Sequence, residues 1–137
     1  MKIYNYQLEQ FIIFLHSLEL ERRASRMRTR LKNKLVEQMQ RITEEALAID
    51  KEYYCYDENN QPIVENNKYQ FKNFEARNQD ILELTNEFII IEQNEANKEM
   101  LLSVKDSVLN HSPSTFKGAD ADIYDGICEL VEQIKYE

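Results

Sequence analysis

The stretch ERRASRMRTRLKNKLVEQMQRITEEALAIDK, residues 21–51, decides how the rest of the chain is read. Within it Met27, Leu31, Leu35, Met39, Ile42, Ala46 and Ile49 recur at steps of three or four, with no Gly or Pro between them. Residues so spaced share one face of an α-helix, and thirty of them at 1.5 Å per residue make a rod of about 45 Å. A rod of that length crosses a small domain from end to end. The expected fold is therefore mainly α, an antiparallel helical bundle built on one long helix.

Working outward toward the N-terminus, Asn5 is a candidate helix cap, and Leu8, Phe11, Ile12, Leu15 and Leu18 form the stripe of a first helix. A break near Ser17–Leu20 joins it to the long helix, predicting a helical hairpin over residues 5–51 with the two stripes facing. Ile13 and Phe14 lie off that stripe. Apolar groups on two faces of one helix need cover from a deep core or a second subunit, so the segment predicts a homodimer with Phe11, Ile13 and Phe14 at its interface.

Toward the C-terminus the texture changes at Tyr53-Tyr54-Cys55-Tyr56. Asp57 to Pro62 and Asn66-Asn67 punctuate short β-prone runs, which predicts a β-hairpin insertion over residues 52–72, with Pro62 at an edge or strand start. Residues 74–137 are expected to be helical. A third helix carries Ile81 and Leu84 to about Glu87, after which Ile89-Ile90-Ile91 reads either as more helix or, preferably, as a strand returning to the small sheet. A fourth helix holds Leu101, Val104 and Val108 and stops before Pro113, and a last one from about Gly118 aligns Ala121, Tyr124, Ile127, Cys128, Val131 and Ile134. All 137 residues are expected to form one domain.

Composition narrows the function classes. With 42% hydrophobic and 31% charged residues, and only two Gly and two Pro, the chain is neither disordered nor a turn-rich sandwich. Cys55 and Cys128 lack metal-ligand spacing and are expected to be reduced thiols in a cytosol. The apolar run Phe11–Leu15 is too short for a membrane span or a signal peptide, so no membrane partner is expected. Asp80, Glu83 and Glu87 fall in a row, yet no Glu-x-x-His pairing accompanies them, so no metal is expected. His16 and His111 have no Ser, Cys or acid at catalytic spacing. Gly118 and Gly126 stand alone, without a phosphate-binding pattern. The chain is therefore expected to be no enzyme, with no cofactor and no small-molecule substrate.

Against a net charge of −8, one segment stands apart: Arg22, Arg23, Arg26, Arg28, Arg30, Lys32 and Lys34 place seven cations in thirteen residues without an acid. Crowded like charges at the positive end of a helix dipole call for an anionic partner. Arg22, Arg26 and Arg30 form an i, i+4, i+8 row beside the hydroxyls of Ser25 and Thr29, a set suited to RNA phosphates. The competing reading pairs these arginines with Glu75, Asp80, Glu83 and Glu87 of the third helix, and a further one with an acidic protein. Residues 51–137 carry eight Lys and Arg against eighteen Asp and Glu, so nucleic-acid contact has to be local to the basic helix. Tyr53, Tyr54, Tyr56 and Tyr69 suit core packing or, alternatively, base stacking.

Ser25-Arg26-Met27-Arg28-Thr29-Arg30, Asp57 to Pro62, Asn86-Glu87-Phe88, Ser107-Val108-Leu109-Asn110, Phe116 and Ile123-Tyr124-Asp125 together resemble small proteins of unknown function from tailed phages and prophages of Gram-positive bacteria. Asn60 stands where that pattern has the glycine of an Asp-x-x-Gly-x-Pro turn, and Asn also tolerates positive φ. The resemblance implies a phage accessory protein in the host bacterial cytoplasm. By analogy it implies an anti-defence, anti-CRISPR-like inhibitor that holds RNA or a host ribonucleoprotein; the alternative is a virion assembly or structural accessory protein with no nucleic-acid ligand.

Overall fold

The computed structural model describes residues 1–137. It is mainly helical: β1 (Lys2–Tyr4), a 3-10 turn (Asn5–Gln7), α1 (Leu8–Ser17), α2 (Arg22–Tyr53), β2 (Val64–Glu65), β3 (Lys68–Tyr69), α3 (Phe74–Thr85), β4 (Phe88–Ile90), α4 (Lys98–Asn110) and α5 (Ala119–Glu132). None of its helices is long and apolar enough to cross a membrane.

The 32-residue α2 is the common support: α1, α3 and α4 all pack on it, and α5 packs on α4. Its apolar face does two jobs. Met27, Leu31 and Leu35 in the N-terminal half are fully buried against Leu8, Phe11, Phe14 and Leu15 of α1, Met100, Leu101, Val104 and Val108 of α4, and Ile127, Leu130, Val131 and Ile134 from α5 and its end. Past Leu35 the same face is only half-buried, at Met39, Ile42, Ala46 and Ile49. There α2 meets α3 through polar contacts, Arg77 to Asp50 and the Tyr53 hydroxyl to Asp80, each 2.7 Å. Beyond it Tyr54 stacks on Tyr69 and Phe71 over the small hairpin.

The hairpin insertion is present, but the residues expected to join it do not. β4 pairs with the N-terminal strand β1, in the register Lys2 to Ile90, Ile3 to Ile89 and Tyr4 to Phe88, so the chain has two separate two-stranded sheets. The strand period explains the choice: the pairing turns Ile3 and Ile89 toward the core and Phe88 and Ile90 outward. The outer edge of β1 is closed by Gln133, whose amide accepts from Lys2 N–H at 2.8 Å and donates to its carbonyl at 3.1 Å. Asn5 likewise departs from expectation. It is buried and caps nothing; its amide donates to the Leu84 carbonyl at 2.8 Å, tying the N-terminus to the end of α3, and α1 begins only at Leu8.

Turn chemistry follows the residues. Asn66 and Asn67, at φ 53° and 64°, make the two-residue link of β2 and β3, the left-handed pair that a tight hairpin needs. Asn60 also holds φ 61°, in a loop where the Asp57 carboxylate accepts from the N–H groups of Asn59 and Gln61. Four phenols are held above their ordinary range, Tyr53 chiefly by its hydrogen bond to Asp80, and Tyr54, Tyr124 and Tyr136 chiefly by burial. A raised folded-state pKa means the native protein keeps protons that the unfolded chain releases. The unfolding free energy is therefore expected to fall as pH rises past about 10 and through the raised values. Urea midpoints at successive alkaline pH values check this, and a midpoint independent of pH there would contradict it.

Candidate nucleic-acid interface on the basic helix

α2 starts without a cap. The side chain of Glu21 accepts no hydrogen bond from the first turn, no acid lies in that turn, and Arg22 enters the helix at a strained φ of 26°. The exposed N–H groups and the arginines thus add potentials of one sign.

The seven cations do not act together, because the protein itself uses three of them. Arg28 turns back to α1, its Nη1 donating to the carbonyls of Leu15 and Leu18 at 2.7 Å each, where α1 ends and its last carbonyls need donors. Lys32 sits 3.3 Å from the Nδ1 of His16 on the same helix. Arg23 forms an ion pair with Glu99 of α4. Arg22, Arg26, Arg30 and Lys34 remain exposed and without an acidic or hydrogen-bonding partner.

Those four lie at i, i+4, i+8 and i+12, one continuous row rising about 6 Å per step over about 18 Å of helix. Lys34 therefore extends the row read from the sequence by one turn. At its lower end Arg30, Asn33 and Lys34 face Ala96, Asn97 and Met100 across a shallow cleft of about 330 Å³, with Glu37 closing one side. Guanidinium forks in such a row suit successive phosphates of an extended strand, to which they present two donors each.

The intramolecular alternative fails on position. α3 packs against the far end of α2, so Glu75, Asp80, Glu83 and Glu87 make no ion pair with the basic segment; the acid that reaches it, Glu99, comes from α4. Of the hydroxyls expected beside the row, Thr29 donates to the Ser25 carbonyl at 2.9 Å, whereas Ser25 accepts from Arg28 at 3.2 Å and keeps its own O–H as a donor. Nor do the tyrosines converge on the row. Tyr54, Tyr56 and Tyr69 cluster with Phe71 at the opposite end of α2, about 30 Å from Lys34 at 1.5 Å per residue. They pack on one another.

The residues expected at a dimer interface separate as well. Phe11 is 0% exposed and Phe14 9%, both inside the protein's own core, Phe14 against the rings of Phe116 and Tyr124. Neither is available to a partner. Ile13 alone faces outward, at 61%. Elsewhere Cys55 and Cys128 are free thiols, His111 pairs with Asp106 at 3.2 Å, and no three His, Cys, Asp or Glu side chains gather as a metal-binding group would. No family model matches the sequence, and neither a curated protein nor a solved structure matches the chain.

Proposed function

We propose that this is a phage-encoded accessory protein that acts without chemistry, binding RNA or a host ribonucleoprotein through α2 and so inhibiting a host defence system in the bacterial cytoplasm. The observation that carries the binding reading is the row Arg22, Arg26, Arg30 and Lys34, four cations left unpaired in a chain of net charge −8 that has acids to spare. An isolated row of like charges costs energy in the free protein and is relieved by a polyanion. The acidic remainder restricts contact to this row and opposes wrapping by duplex. The reading takes the five helices as an antiparallel bundle centred on α2, which holds the row rigid.

The test is fluorescence anisotropy with a labelled single-stranded RNA. Four phosphate contacts predict that log K falls with log salt at a slope of about −3, roughly 0.7 per contact. Combined replacement of Arg22, Arg26, Arg30 and Lys34 with Glu is expected to weaken binding by at least about 100-fold while leaving helix content unchanged, since exposed unpaired charges contribute little to stability. Binding that survives the four replacements, or no binding by the native protein at low salt, overturns the RNA reading. The virion-assembly alternative then stands.

A further inference from the structure

Ile13 is the most exposed large apolar side chain of the protein, and it stands as a ridge between two grooves. On one side lies a groove of about 510 Å³ between α1 and α2, floored by Ile12, Val36 and Met39. On the other a smaller groove of about 310 Å³ runs between α1 and the segment leading into α5, past Phe14, Phe116 and Ile123. An exposed apolar ridge beside an apolar groove is complementary to a rotated copy of itself.

Charge selects the groove and the occupant. The pairings of Arg28 with Leu15 and Leu18, Lys32 with His16 and Gln38 with Asn5 show that α1 and α2 run in opposite directions along the larger groove. One end of that groove is acidic, with Glu9 from α1 and Glu44 from α2. Just beyond its other end, one turn of α2 before Val36, Lys32 meets His16 and supplies a positive charge. The ridge lies between, four residues from Glu9 and three from His16. When two copies of α1 cross antiparallel at Ile13, the turn before it, with Glu9, faces the turn after it on the other copy, with His16 and Ser17. The acidic end of each groove then meets the basic end of its partner, and each Ile13 enters the opposite groove. The smaller groove has only Asp120 as a charged lining residue and offers no such match.

We propose that the α1–α2 groove is the docking surface for a second copy of this chain, packed two-fold about Ile13 with Glu9 and Glu44 against Lys32 of the partner. The arrangement does not rest on RNA binding: Arg30 and Lys34 lie beside Asn97 on the flank of α2 that faces α4, and none of the four cations of the row lines the α1–α2 groove.

Sedimentation velocity at micromolar concentration tests it, with circular dichroism as a check of folding. The native protein is expected at dimer mass and Ile13→Asp at monomer mass, with unchanged helix content. Lys32→Glu makes both groove ends acidic and the pair Glu9→Lys with Glu44→Lys makes both basic, so each protein alone should associate at least 10-fold more weakly than native. Mixed together, the two should recover dimer mass as a heterodimer, an outcome that unfolding of either variant cannot imitate. A native monomer at 100-fold higher concentration, a dimer that persists in Ile13→Asp, or a mixture no more associated than its components overturns the proposal.

Discussion

Alanine at Phe11 is expected to lower the unfolding free energy by about 3–5 kcal/mol, the range for emptying a fully buried aromatic site. The ring is wholly enclosed within the cluster formed by α1, α2, α4 and α5, among buried side chains from all four helices. In urea the midpoint should drop with little change in slope, because the surface exposed on unfolding hardly changes. Phe14→Ala is expected to follow at a smaller cost, since its ring lies at the core's margin against Tyr124, centroids 5.6 Å apart. Ile13→Ala, one residue earlier, should leave the midpoint of the monomer within about 0.5 kcal/mol. Equal losses at Phe11 and Ile13 would contradict the orientation of α1. The three substitutions thus separate core from surface along a single helical turn.

Methionine at Arg28 is expected to cost about 2–4 kcal/mol. The guanidinium is partly buried and gives two short charge-assisted hydrogen bonds to the carbonyls of Leu15 and Leu18, so its loss leaves the Leu18 carbonyl without a donor and that of Leu15 with only the Leu18 N–H at 3.3 Å. Methionine retains most of the apolar stem, which confines the effect to the polar head. Arg26→Met, two positions away and unpaired, is expected to change stability by less than about 0.5 kcal/mol. RNA affinity should respond in the opposite sense, falling in Arg26→Met and holding in the folded fraction of Arg28→Met. Denaturant titration paired with anisotropy reads both. A similar stability loss for both variants would mean that Arg28 does not hold α1.

By itself the sequence determined the mainly helical class, the long helix to within two residues at either end, and the inward stripe Met27, Leu31 and Leu35. About six turns of uninterrupted period leave local physics little choice. It also marked Asn60 as a residue that tolerates φ > 0 and Asn66-Asn67 as the punctuation of a hairpin, and all three take positive φ, which Asn and Gly accept at least cost. Tertiary structure decided the rest, wherever the deciding partner lies far along the chain. Strands of three residues carry almost no pattern, so the pairing of β1 with β4 across some eighty-five positions arises from the shared core face of Ile3 and Ile89. Phe14 is off the stripe of α1 yet buried, because Phe116 and Tyr124 arrive from about a hundred residues away to cover it. The basic segment shows the same division most sharply. Its charge density is written in the sequence, but whether a given arginine is free depends on what the folded chain sets beside it: α1 ends where Arg28 can reach its carbonyls, α4 brings Glu99 to Arg23, and α3 sets Asp80 against Tyr53 at the other end of the rod. A charge is local to its residue, whereas its neutralisation is a property of the packing.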